Sequence, residues 1–205
     1  VDGTTTLTGA VELPNDTVDI ADLSASGTAS SSTFLRGDNT WASITTGKIL
    51  QVVQTVKTDT ASREASGFAD IPGMSVTIRP ASGTKILVHY SIQTSHTNGA
   101  RFAHTKLIRD STDIAIGDEV TSRTRATTGV GTPAGNGDYM LQNQTMVFLD
   151  THGANGSTDV VYKLQWWIDD RTSQSKIYLN RTLADMGNAA AMRGVSTITA
   201  VEVAA

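Results

Sequence analysis

The sequence predicts an all-β protein: an antiparallel β-sandwich or jelly-roll-like knob preceded by a slender oligomeric stalk. Three observations lead there. The first is residues 159–169, where Val160, Tyr162, Leu164, Trp166 and Ile168 alternate with Val161, Lys163, Gln165 and Trp167. Successive side chains of a strand point to opposite faces, so the first set is expected in a core. The second set faces outward, with Val161 and Trp167 partly covered by a loop or another subunit. The second observation is recurrence: about nine or ten extended runs follow one another at roughly 10–15-residue spacing, separated by Gly, Asn, Asp and Ser. That rhythm belongs to sandwiches and jelly rolls rather than to βαβ units. The third is a change of texture near Gly47, which divides the chain into residues 1–46, a stalk or neck, and 47–205, the knob.

Residues 1–46 are rich in Thr, Ser, Ala, Gly and Asp, with apolar residues scattered among them. Such a segment cannot bury enough surface alone to offset its chain entropy. It is either a flexible linker or a thin stalk whose sparse apolar residues meet copies of themselves. Val18 to Leu23 suits a brief helix capped by Asp16 or Thr17. Residues 24–33 read as loop. Gly37-Asp38-Asn39 then supplies a turn, with Phe34 and Trp41 placed to clamp over it.

Within the knob, residues 48–57 form a β-rich run and 58–66 a polar loop. Phe68 to Ile71 is a short extended piece stopped by Pro72-Gly73, and Met74, Val76 and Ile78 alternate up to Pro80. Residues 85–93 and 101–109 alternate well, and Ile114 to Ile116 follows a tight turn. Residues 117–139 read as one long loop, and loops longer than about 12–15 residues in a compact domain are usually functional or mobile. Strands are expected over 140–149, 159–169, 175–180 and 195–203, and residues 183–194 form a loop or a single helical turn.

Composition removes several classes of function. There is no cysteine, which excludes a disulfide framework and Cys-based zinc or redox sites. No apolar run approaches the roughly 20 residues that span a bilayer, so no membrane insertion is expected. No secretory leader is visible, and Val1 in place of an initiator Met points to numbering that begins inside a longer protein or after processing. The net charge of −4 gives no case for nucleic-acid binding. The acidity lies in residues 1–46, which hold Arg36 against six acids.

The polar chemistry is sparse. His89, His96, His104 and His152 match no zinc spacing, and His89 and His104 are expected to be satisfied inner histidines. Asp118-Glu119 and Asp169-Asp170 sit where strands meet turns and read as solvated acids, and neighbours along a strand point opposite ways, so neither pair implies a shared site for metal or glycoside cleavage. Gly129-Val130-Gly131 lacks the lysine and the helix of a phosphate cradle. There is no Gly-x-Ser-x-Gly elbow. No cofactor, metal or catalytic residue is expected. Arg36-Gly37-Asp38 is an adhesion tripeptide better explained as turn, and the Asn-x-Ser/Thr triplets at 143–145, 155–157 and 180–182 are treated as chance. The receptor-binding candidates are Arg123, Arg125 and Tyr139, as a contact for acidic sugars on the long loop, and Trp167, as a stacking or subunit contact.

Residues 18–41, Val-Asp-Ile-Ala-Asp-Leu-Ser-Ala-Ser-Gly-Thr-Ala-Ser-Ser-Ser-Thr-Phe-Leu-Arg-Gly-Asp-Asn-Thr-Trp, resemble a junction found in tail-fibre and related appendage proteins of tailed bacteriophages, notably marine and cyanobacterial ones. Residues 47–58, Gly-Lys-Ile-Leu-Gln-Val-Val-Gln-Thr-Val-Lys-Thr, look like the opening of the carboxy-terminal β-domain that follows it. Residues 107–112 and 196–199 are similar to later parts of that domain. The resemblance implies a homotrimeric virion fibre with a β-sandwich tip used for host attachment, and no enzymatic activity. Val11, Val18, Ile20, Leu23, Phe34 and Trp41 are then the expected trimer contacts. The expected partners are other copies of the chain, further virion proteins on the amino-terminal side, and a host cell-surface glycan or protein. A capsid decoration or head-fibre protein with the same fold is the alternative, and a glycan-degrading enzyme a more distant one.

Overall fold

The computed structural model describes residues 8, 25–43, 48–97, 102–131, 137–168 and 175–204. The chain divides into two units, Val1–Gly47 and Lys48–Ala205. It is all-β, with antiparallel sheets and no α-helix among the described residues. Val11, Val18, Ile20 and Leu23, and with them the expected helix at 18–23, lie outside the described residues.

In the first unit β1 (Thr33–Leu35) and β2 (Trp41–Ser43) form a hairpin. Asn39 takes a left-handed conformation at φ 58°, which asparagine tolerates. Leu35 pairs with Trp41 and Phe34 with Ala42. Successive residues point to opposite faces, so Phe34 and Trp41 lie on opposite sides of the ribbon and form no clamp. Trp41 is fixed instead by its backbone: its N–H donates to Ser26 O, and Gly27 lies so close that a Cβ there would sit 2.8 Å from Trp41 O. Arg36 and Asp38 form an exposed ion pair at 3.2 Å.

The second unit holds two larger sheets. In the first, β3 (Ile49–Lys57), β13 (Ser196–Val203) and β6 (Lys85–His96) lie side by side, and β10 (Gln142–Asp150) also pairs with β6. β12 (Ile177–Leu179) pairs with the end of β6 and carries β4 (Ala61–Arg63). In the second sheet β11 (Val160–Ile168) is central, between β5 (Ala69–Ile78) and β7 (Phe102–Arg109). β7 also pairs with β8 (Thr112–Ile114) and β9 (Thr128–Gly131).

One apolar cluster takes side chains from both sheets. β11 contributes Val160, Tyr162, Leu164, Trp166 and Ile168, all buried; β6 contributes Ile86, Val88, Tyr90 and Ile92; β5 contributes Met74, Val76 and Ile78. The expected alternation of 159–169 is therefore observed, and Val161 and Trp167 on its other face are half-buried. Two buried carboxylates are paired, whereas the buried Gln51 Oε1 has no hydrogen-bond partner among the described residues. Asp150 accepts from Tyr162 Oη at 2.7 Å and from Arg109 Nη1 at 2.9 Å. Glu202 accepts from the Ala81 N–H at 2.7 Å and Thr84 Oγ1 at 2.9 Å.

Three expectations fail for physical reasons. Pro72-Gly73 does not stop a strand: β5 runs through it, with a register shift opposite Leu164 and Gly73 at φ 74°. β5 pairs only with β11 in this sheet, and such a strand accommodates a proline and a bulge. The polar loop at 58–66 contains β4, and the loop at 117–139 contains β9. Each is short and mostly polar or glycine-rich, so its own sequence shows no apolar period; the pairing strand supplies the order. Residues 183–194 form turns, spanned by a bridge between Arg181 and Arg193.

Candidate functional site

The residues that gather on the outward side of the second sheet come from three strands and one loop. Phe102, His104 and Lys106 alternate outward along β7 while Ala103, Thr105 and Leu107 point into the core. The register sets His104 between Trp167 of β11 and Gly129 of β9. His104 stacks on Trp167 with ring centroids 4.9 Å apart and on Phe102 at 6.4 Å, nearly parallel in both cases. Gly129 makes this ladder possible: a Cβ there would lie 2.7 Å from His104 Nδ1. His104 is thus an outward, partly exposed residue, and the expectation of an inner histidine is corrected. The same holds for His89, which is exposed on the outer face of the first sheet. A single alternating run does not say which of its two faces meets the other sheet when both carry apolar residues.

Beside the ladder the 117–127 loop closes a cleft of about 310 Å³, whose lining includes His104, Asp118, Arg123, Arg125, Thr128 and Gly129. The neck of the loop is tied by Gly117 N–H donating to Ala126 O at 3.2 Å, by Arg125 Nε donating to Gly117 O at 2.8 Å, and by Thr127 N–H donating to Thr105 O at 2.8 Å. Thr127 Oγ1 in turn accepts from the Leu107 N–H at 2.9 Å. The floor is held to the first sheet. Thr128 Oγ1 bonds Tyr90 Oη at 2.8 Å, and both Thr128 and Thr105 donate to Gln144 Oε1, at 3.2 and 3.0 Å. Gln144 Nε2 completes the network by donating to Thr94 Oγ1 at 3.1 Å. A buried polar network with every member satisfied is rigid. Burial pushes the Tyr90 hydroxyl up to about 12, so it stays protonated beneath the cleft.

The cleft walls are charged and open. Arg125 Nη1 stands 4.0 Å from Glu119 in an exposed pair, while the Arg123 guanidinium has no hydrogen-bond or ion-pair partner among the described residues. Around the ladder, Lys106 Nζ sits 4.3 Å from the Phe68 ring centroid and pairs with Asp113. Hydrogen bonds from Lys163 and Gln165 hold the Asp70 carboxyl below the usual carboxylate range. Flat rings beside guanidinium donors suit a ligand with an apolar face and oxygen acceptors. No group of three or more His, Asp or Glu side chains that could hold a metal occurs among the described residues.

Of the four candidate receptor-binding residues, Arg123 and Arg125 line the cleft, and Trp167 reaches it through His104. Tyr139, exposed on a short 3-10 turn over Gly137–Tyr139, does not line it. Reading the sequence alone missed Phe102, His104, Thr128 and Gly129. The available signal was the spacing of Phe102 and His104 on one strand face; their meeting with Trp167 needed the register. Asp169-Asp170 lies outside the described residues. Comparison with protein-family models and with curated proteins gives no match.

Proposed function

We propose that this chain is the distal part of a homotrimeric virion fibre of a tailed bacteriophage: residues 1–46 form the stalk and neck, and 47–205 a β-sandwich knob that attaches to a host cell-surface glycan or protein. Other virion proteins join on the amino-terminal side, and no catalysis is involved. The observation that carries the attachment role is the cleft bearing Arg123 and Arg125 beside the Phe102–His104–Trp167 ladder. Aromatic rings suit the apolar face of a sugar ring, and a guanidinium with no partner among the described residues is ready for its oxygens. The fibre role is supported by the resemblance of residues 18–41 and by the sparse apolar content of the leader, which copies winding together bury where one chain cannot.

Binding of the purified full chain to host cells and to their envelope glycans tests this. Saturable binding is expected, falling about tenfold or more in Arg123→Ala and in Trp167→Ala, as for residues at the centre of a contact. Absence of binding, or binding indifferent to both substitutions, removes the attachment role. A single-chain mass in solution at micromolar concentration removes the trimer.

A further inference from the structure

The outward face of the first sheet carries an apolar surface of its own. Where β3, β13, β6 and β10 lie side by side, the register places Val52 beside Val201, Val201 beside Leu87, and Leu87 beside Leu149. This row crosses four strands that are distant in sequence. Leu50 extends it along β3 and Val147 along β10, and Leu50, Val52, Val147 and Leu149 are each about half exposed. The two rows beyond it hold Val, Thr, Ser, Gln and His side chains, with no carboxylate, ammonium or guanidinium among them; Lys85 stands at the rim. An antiparallel sheet with one face on the core ordinarily turns a polar face to water.

The chemistry of this face selects its partner. A charged polymer or an anionic surface finds no countercharge at its centre, whereas a copy of the same face brings no like charge against it. The area fits the same occupant. Four half-exposed side chains of this size leave on the order of 400 Å² of apolar surface, comparable to the largest patch of an ordinary monomer, which is often functional, and short of the roughly 800 Å² per partner of a free-standing interface. A contact of that size forms between chains that another element already holds together. Leu50 follows closely in sequence on Gly47, where the first unit ends. Leaders that intertwine would deliver these faces to one another at an effective concentration on the order of millimolar; this step rests on the fibre reading above.

We propose that the outward face of the first sheet, centred on Val52, Leu87, Leu149 and Val201, is a contact between copies of this chain. The association that the amino-terminal segment begins is completed in the β-unit itself. The absence of cysteine gives a direct test in the full chain. Val147→Cys places the only thiol on the face, and Thr112→Cys places it in the exposed turn at the start of β8. A short bis-maleimide is expected to join copies of Val147→Cys in severalfold excess over Thr112→Cys, and adding Leu149→Asp to Val147→Cys is expected to abolish that excess. Light scattering gives the mass of each variant in parallel. A multimeric mass with equal crosslinking at both positions, or with none at position 147, overturns the proposal and leaves the fibre reading standing. A single-chain mass with no crosslinking overturns both.

Discussion

The second sheet turns Phe102, His104, Lys106 and Trp167 outward; the first turns out Val52, Leu87, Leu149 and Val201. Their inward faces are alike, since Val160, Leu164 and Ile168 on one side and Ile86, Val88 and Ile92 on the other meet the same demand for close-packed apolar volume. Nothing in core packing fixes the outward faces, so they are free to diverge. One carries rings, a cleft and guanidinium groups suited to an oxygen-rich ligand. The other is neutral and apolar, suited to its own copy.

The largest expected effect separates two adjacent residues that face opposite ways. Trp166 is 2% exposed within the core, and Trp166→Ala is expected to cost about 3–5 kcal/mol in denaturant unfolding, weakening both faces together. Trp167→Ala is expected to leave stability within about 1 kcal/mol and to lower ligand binding alone, since a half-buried outward side chain loses less than a core one. If the two variants destabilise equally, the inward and outward assignment of β11 is wrong.

A smaller effect probes the floor that joins the cleft to the first sheet. The folded chain holds the Tyr90 proton up to about pH 12, whereas an exposed tyrosine releases it near 10.0. The native state therefore keeps a proton that the unfolded state gives up. The stabilisation is fully present below pH 10 and is lost as pH rises through 12, to an extent of about 2–3 kcal/mol at 1.36 kcal/mol per unit. Tyr162, raised by burial and by its bond to Asp150, acts in the same direction. Unfolding midpoints measured from pH 8 to 12 should stay level and then fall, with a shallower fall in Tyr90→Phe. A flat profile would mean that these hydroxyls are not buried as described.

The smallest effect addresses the ladder alone. Gly129→Ala places a methyl group against the His104 ring, which must shift and so disturb its stacking on Trp167. Stability is expected to drop by only about 1 kcal/mol, at the low end for an overpacked site, while Trp167 fluorescence changes and ligand binding weakens. Association between copies should be untouched, because Gly129 belongs to the other face. An equal loss of both would show that the two faces are coupled.

The residues by themselves determined the all-β class, because a period of two in side-chain direction is local and leaves its mark on any strand with one buried face. That is why Trp166 reads as core and Trp167 as outward from their neighbours alone, and why residues 85–93 and 159–169 are plain. The same locality explains the failures. β4 and β9 are too short and too polar to show a period, and Pro72-Gly73 reads as a stop until β11 is seen to pair across the bulge. Only the tertiary structure decided which strands neighbour one another, and with that the sites. His104, Gly129 and Trp167 form one row, and Val52, Val201, Leu87 and Leu149 another, because backbone hydrogen bonds between distant segments fix a register that no single segment encodes.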